Sequence, residues 1–214
     1  MIVINKVRFC YTKTGKAKYI SHLDLTAVMQ RSLLRAGVNL KYSEGFNPHP
    51  YMSVALPLSV GCESSCELID ISIEDGKIPD LRSIKLPEGL FITEAYNPVR
   101  KFNDISWVEI EAEAFFDNKP DDEAIKKIQA VFNRESIIIS KRTKRGSNDI
   151  DVALYIKDMI LNFGNNILMN AKISAQNPTI NADDIQNIFG VVIKPDYFTI
   201  KRIEIYDKNM VKFR

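Results

Sequence analysis

The sequence predicts an α+β protein made of two tandem ferredoxin-like (split βαβ) units with antiparallel sheets. Two observations carry this expectation. Strand-like runs and single amphipathic helices follow one another as strand, helix, two or three strands, helix, strand, and the same order recurs in the second half. A polar stretch after Asn97-Pro98 separates the halves, which places the units at 1-100 and 101-214. With 214 residues, 45% of them hydrophobic, the chain is long and apolar enough to bury two cores.

Val7 to Lys13 alternates Val7, Phe9 and Tyr11 with Arg8, Cys10 and Thr12, and reads as a strand turned by Thr14-Gly15-Lys16. Ser21 and Asp24 then make a Ser-x-x-Asp capping box that starts a helix at about His22. Leu25, Val28, Met29, Leu33 and Ala36 share one arc of that helix as its core face, and Gly37 supplies its C-terminal cap. Asp24, Arg31 and Arg35 lie at the edge of the arc, where two guanidinium groups can flank a carboxylate or face an anion. Val38 to Ser43 and Tyr51 to Leu58 read as strands. Between them Glu44, Gly45, Phe46, Asn47, Pro48, His49 and Pro50 form a loop, because Gly45 permits positive φ and each proline lacks a donor. Glu67, Ile69, Ile71 and Ile73 alternate as a further strand, Pro79 opens a short helix to Ile84, and Gly89 to Tyr96 closes the first half.

In the second half Trp107 to Phe116 reads as a strand with Val108, Ile110, Ala112, Ala114 and Phe116 on one face. A helix runs from Asp121 to Phe132, a short element from Ser136 to Ser140, and a basic loop from Lys141 to Gly146. Val152 to Phe163 and Ile167 to Ala175 form long strands joined at Gly164-Asn165-Asn166. A helix starting at Asn181 or Ala182 reaches Phe189, and Tyr197 to Tyr206 is the last strand.

A formal net charge of +2 conceals segregation. Between residues 6 and 41 stand Lys6, Arg8, Lys13, Lys16, Lys18, Arg31, Arg35 and Lys41 against Asp24 alone, whereas Glu63 to Asp80 is acidic. Such asymmetry favours a polyanion, and Lys13, Lys16, Lys18, Arg31, Arg35 and Lys41 are expected to form one basic RNA-binding face beside the Glu44 to Pro50 loop. Phe46, Tyr51 and Tyr42 are placed to stack on bases, and no DNA specificity is expected. Solvated lysines and core aromatics are the plainer reading of the same residues. No apolar run approaches a membrane span, and three cysteines make no disulfide framework, so a cytoplasmic protein is expected.

The two histidines are the catalytic candidates. His22 sits at the positive end of a helix dipole, which favours a neutral imidazole suited to a general base, and His49 lies on the loop between two prolines. Together they would serve a metal-independent ribonuclease, one group activating a ribose hydroxyl and the other protonating the leaving oxygen. The structural alternative, and the expected one, buries His22 against Leu25 and leaves His49 to shape the loop. No cofactor or metal is expected: Cys62-x-x-x-Cys66 has the spacing of the first two ligands of a radical SAM cluster, but Ile69 occupies the third position.

Ser21-His22-Leu23-Asp24-Leu25, Arg31 to Gly37, Tyr42-Ser43-Glu44-Gly45-Phe46-Asn47-Pro48-His49-Pro50 and Ala55-Leu56-Pro57-Leu58 together resemble the bacterial radical-SAM-linked protein family, a domain of unknown function. The resemblance extends over Phe9 to Gly15 and Glu63 to Ile71, and more weakly elsewhere. In the second half the family's Arg-Pro pairs are replaced by Ala153-Leu154 and Asn181-Ala182. Members are often encoded beside, or fused behind, a radical SAM enzyme and near a ribonuclease E/G gene. The resemblance therefore implies an accessory RNA-binding or substrate-presenting protein acting with a radical SAM enzyme in RNA modification or processing. A ribonuclease using His22 and His49, and a protein-protein adaptor, remain alternatives. A tandem pair with a helix-start histidine is also similar in fold order to CRISPR RNA-processing endonucleases.

Overall fold

The structure, a computed structural model, describes residues 5–143 and 146–214. The chain divides into two compact units, one reaching Asp104 and also including Arg214, the other Ile105 to Phe213. It is a mixed α+β protein with three α-helices among the described residues, and the strands within each unit pair antiparallel.

The first unit contains β1 (Lys6–Lys13), α1 (His22–Arg35), β2 (Met52–Val54), β3 (Glu63–Ser72) and β4 (Leu90–Tyr96), with strand order β4-β1-β3-β2. The alternation of β1 decides its faces. Val7, Phe9 and Tyr11 join Leu25, Met29 and Leu33 of α1 and Ile69 and Ile71 of β3 in one buried core. Val28 and Ala36 pack at its margin, and Ser32 is buried as well, so the helical arc expected from the sequence faces the sheet. Truncating a side chain as enclosed as Met29 would cost about 2–5 kcal/mol. At the start of β4, Gly89 accepts the Thr14 amide on its carbonyl at 2.8 Å, and a Cβ there would stand 2.2 Å from the Thr14 oxygen.

Three expected elements are shorter than the sequence implies. Val38 to Ser43 is reduced to isolated bridges at Leu40 and Tyr42, and β2 is only three residues long. Pro48, Pro50 and Pro57 offer no ladder donors, and Leu56 adopts a positive φ of 46°, so neither run can sustain pairing. Between β3 and β4 the expected helix from Pro79 to Ile84 is a single 3-10 turn, Leu81–Ser83, whose first amides are met by the Asp80 carboxylate accepting from Arg82 at 3.0 Å.

Behind the core, Arg8 is fully buried and grips Asp70 of β3 in bidentate fashion, Nε to Oδ1 at 2.7 Å and Nη2 to Oδ2 at 2.9 Å. Nη2 also donates to the Arg100 carbonyl at 2.8 Å, and the Phe102 ring lies 4.3 Å from the guanidinium carbon. Burial alone would lower the guanidinium's hold on its proton, but Asp70, together with Tyr96, more than offsets this and the net shift is upward.

The second unit contains β5 (Ile105–Phe115), α2 (Asp122–Phe132), β6 (Ile138–Thr143), β7 (Gly146–Asp151), β8 (Ile156–Phe163), β9 (Ile167–Ser174), α3 (Ala182–Gly190) and β10 (Tyr197–Asp207). Its main sheet has the order β10-β5-β9-β8, and β6 and β7 form a separate hairpin. Val108, Ile110, Ala112 and Ala114 are buried, as are Ile128 and Phe132 of α2 and Ile185, Ile188 and Phe189 of α3. The Phe132 and Phe189 rings meet at 5.1 Å. Asp121 caps α2 by accepting from Ala124, and Asn181 with Asp184 makes a full capping box on α3. The expected strand from Val152 to Phe163 begins instead with a 3-10 turn, Val152–Tyr155. The Asp151 carboxylate accepts from Ile137 at 2.9 Å and Ala153 at 3.1 Å, bending the chain, and the Ile137 amide holds that carboxyl below its usual range. Part of the expected basic loop is strand: Lys141 lies in β6 and binds Asp184 at 2.6 Å, while Lys144 and Arg145 fall outside the described residues.

Asp70→Ala strands the Arg8 charge in the interior and should lower stability by roughly 3–5 kcal/mol in urea unfolding, whereas the double change Arg8→Met, Asp70→Leu should restore most of the loss.

Candidate functional site

The site is built on α1 and the hairpin that follows it. Ser21 is the N-cap of α1: its Oγ accepts from the Asp24 amide at 3.1 Å and its hydroxyl donates to Asp24 Oδ2 at 2.7 Å. The Asp24 carboxylate is thus engaged by the Ser21 side chain rather than by the Ser21 backbone, which differs from the capping box expected. After α1 the chain runs out along β3 and turns back on itself. Lys41 donates to the Ser72 carbonyl at 2.9 Å, Ser72 to the Tyr51 carbonyl at 2.9 Å, and Tyr51 to the Lys41 carbonyl at 3.0 Å. Farther out, Ser43 donates its amide to the His49 carbonyl at 2.8 Å while the His49 amide donates to Ser43 Oγ at 3.0 Å. These reciprocal bonds close a small hairpin. Its tip, Glu44, Gly45, Phe46, Asn47 and Pro48, is exposed throughout, with Gly45 at φ 115°. The arm is tied to the helix where Gln30 Nε2 donates to Tyr42 Oη at 3.3 Å.

Of the two histidines, one departs from expectation. His22 is exposed rather than buried against Leu25, because the first turn of α1 directs Leu25 inward and leaves positions 22 to 24 facing solvent. His49 is exposed at the hairpin base, and no hydrogen bond links it to His22 or Tyr51 among the described residues. The anchor of the hairpin at Gln30 is eight residues along α1 from His22, about 12 Å at the rise of an α-helix.

The six cations separate. Lys13 is a correction: it is buried, with Nζ donating to the Ile20 carbonyl at 3.0 Å, because β1 ends beneath the Gly15–Tyr19 turn on the face shared with Tyr11. Burial lowers its pKa, an effect that the nearby Glu67 and Cys62 oppose only in part. Lys18 is half-buried, 3.6 Å from Glu63. Lys16, Arg31 and Arg35 are exposed, and Arg35 also donates to Ser32 Oγ at 3.1 Å. Lys41 is half-buried in the hairpin arm. Arg31 and Arg35 stand about 100° and 140° around the helix axis from Gln30. They therefore occupy the flank of α1 away from the hairpin. Two apolar side chains not singled out in the sequence, Leu23 and Leu34, are exposed between the two flanks; their signal was that both fall outside the core arc of the helical wheel.

Of the aromatic candidates, Phe46 is 112% exposed, Tyr51 47% exposed, and Tyr42 half-buried with its hydroxyl engaged by Gln30. Cys10, Cys62 and Cys66 are buried thiols outside any disulfide, and burial pushes the Cys10 thiol up. Among the described residues no three His, Cys, Asp or Glu side chains are grouped to hold a metal ion, and no helix is long and apolar enough to cross a membrane.

Residues 6–182 match the family described as an uncharacterized protein conserved in bacteria (DUF2344). The chain belongs to this family. No curated protein matches this DUF2344 member. Among solved structures it is similar to a chain of a Cbf5-Nop10-Gar1 complex, with 12% identity and a TM-score of 0.50 over 92% of this chain and 49% of that one. It is also similar to a chain of an H/ACA RNP bound to a substrate RNA containing 2'-deoxyuridine, at 12% identity, TM-score 0.50, and 93% and 47% coverage. A third, from an archaeal box H/ACA sRNP Nop10-Cbf5 complex, gives 13% identity, TM-score 0.50, and again 93% and 47% coverage. The DUF2344 chain spans about half the length of these chains, and at such identity the likeness is one of fold.

Because the folded pKa of Lys13 lies below its ordinary 10.5, the unfolded chain binds that proton more tightly, and the Lys13 contribution to stability increases as pH rises through the lowered value towards 10.5. Urea unfolding of the protein and of Lys13→Met across that alkaline window should show the rise flattened in the variant.

Proposed function

We propose that this protein is a cytoplasmic RNA-binding accessory protein that presents RNA to a radical SAM enzyme for modification or processing, on a scaffold of two ferredoxin-like units. The scaffold reading is supported by the strand orders: numbered within each unit, both run 4-1-3-2, although the second crossover of the first unit is a 3-10 turn and the second unit carries an added hairpin. The radical SAM partnership is supported by the resemblance carried by Ser21 to Leu25 and Tyr42 to Pro50. Ile69, fully buried in β3, stands where a third cluster thiolate would be needed, so the partner would supply the cluster.

The observation that carries the RNA reading is the outer face of α1. Arg31 and Arg35 are exposed one turn apart with no carboxylate partner among the described residues, since Asp24 of the same flank is held by Ser21. Guanidinium groups presented this way match phosphate geometry. The structural neighbours named as RNA-protein assemblies lend support by analogy of fold only. The ribonuclease reading gains accessible imidazoles at His22 and His49. That reading requires the two to flank one phosphate as general acid and base.

Fluorescence anisotropy with labelled RNA over a salt series tests the reading: affinity should fall as salt rises, and Arg31→Ala with Arg35→Ala should weaken binding and reduce the slope by roughly one for each phosphate no longer neutralised. Salt-independent binding, or no binding to any RNA, rejects it. In the same assay His22→Ala should bind as the parent does, and RNA incubated in EDTA should stay intact with both.

A further inference from the structure

We infer that Phe46 is a stacking platform for a single unpaired nucleobase, which makes the ligand single-stranded rather than duplex RNA. The inference rests on the RNA-binding reading and adds to it the kind of RNA and the part that each side of α1 takes.

The ring of Phe46 contributes nothing to either core: it stands wholly in solvent at 112% exposure. Yet it is not on a slack loop. The paired bonds between Ser43 and His49 close the hairpin directly below the tip, Gly45 takes the φ of 115° that the turn demands, and Pro48 and Pro50 restrict the returning strand. Gln30 fixes the arm to α1 through Tyr42. A ring held out in this way is positioned before its partner arrives, so little ordering remains to be done on binding.

The surroundings of the ring select the partner. Glu44, Gly45, Asn47 and Pro48 are its neighbours at the tip, all exposed, and no second large apolar side chain accompanies it there. A protein-docking patch needs a contiguous apolar area of roughly several hundred Å². A lone ring offers one flat face, which suits one planar group. Bases within a duplex are covered on both faces by their neighbours, so a protruding side chain meets a base face only where the base is unpaired and splayed. The Glu44 carboxylate repels phosphate at the tip, and the exposed cations of this region lie elsewhere, on α1 at Arg31 and Arg35 and on the turn at Lys16. The sugar-phosphate chain is therefore held along the helix while the base is taken at the tip. Because Phe46 is uncharged, its share of the affinity is independent of salt, unlike that of the arginines.

The test uses the full-length protein, a mixed-sequence single-stranded RNA of about a dozen nucleotides, and a hairpin RNA containing the same sequence paired. The parent should prefer the single strand. Phe46→Ala should weaken single-strand binding by roughly 5- to 100-fold at every salt concentration without changing the slope, and Phe46→Trp should retain binding. Arg31→Ala with Arg35→Ala should change the slope. A 2-aminopurine placed singly along the strand should be quenched at one position by the parent and not by Phe46→Ala. Circular dichroism should give the same melting temperature for Phe46→Ala and the parent. If Phe46→Ala binds the single strand as well as the parent while the arginine variant is weakened, the stacking inference fails and the RNA reading stands. If the parent binds no RNA, both fail. If Phe46→Ala abolishes binding to a purified radical SAM enzyme and leaves RNA binding intact, the tip is a protein-docking element and the inference is overturned.

Discussion

Arg8 and Asp70 stand directly opposite each other in the β1–β3 ladder, and the bidentate pair they form in the interior sets the register on which the first unit depends. Successive strand residues point to opposite faces, so a slip of one position would carry Asp70 into the apolar side and leave the guanidinium without its carboxylate. With the register held, Phe9 meets Ile69 and Val7 meets Ile71, which is the sheet surface that α1 covers. The same register places Ser72 at the end of β3, where its amide donates to the Tyr51 carbonyl and its carbonyl accepts from the Lys41 amide, and so launches the hairpin. The interior ion pair is thus linked, through the ladder, to the position of an exposed aromatic ring.

The second unit reaches the same strand order with other devices. Its helices are capped by side chains that accept from the first-turn amides, Asp121 on α2 and Asn181 on α3, and their apolar faces meet through Phe132 and Phe189. The β6–β7 hairpin is joined to α3 by Lys141, which reaches both Asp184 and the Thr179 carbonyl. A lysine that looks from the sequence like part of a basic loop is committed to holding two elements together, which removes it from any electrostatic surface.

Around α1 the chemistry is partitioned by helical geometry. One flank carries Arg31 and Arg35, the other receives the hairpin at Gln30, and exposed Leu23 and Leu34 lie between. Charge and aromatic surface are therefore offered from two sides of one rigid rod. This is the arrangement on which the proposed binding of a flexible chain, with separable phosphate and base groups, rests.

Local rules were enough for much of this. The Ser21 cap, the apolar arc of α1, the alternation of β1 and β5, the capping residues Asp121 and Asn181 and the loop character of Glu44 to Pro50 depend on neighbours within one or two turns, and each is visible in the order of residues. Membership of a bacterial family of unknown function, too, was legible from the motifs of that region, whereas the radical SAM link belongs to the proposal. Side-chain destinations were not, because they depend on what arrives from elsewhere in the chain. Lys13 and Lys16 are three positions apart and equally basic on paper, yet the turn that covers the end of β1 buries one and leaves the other in water. Arg8 became an interior anchor only because β3 brought Asp70 across sixty-two positions of sequence. The strand lengths near Tyr42 and Tyr51 depended on which amides found a ladder partner once Pro48, Pro50 and Pro57 had removed theirs. Periodicity and capping are properties of the local backbone and were set by the sequence alone; burial, pairing and the separation of the cations from the exposed Phe46 ring are properties of long-range packing, and only the tertiary structure decided them.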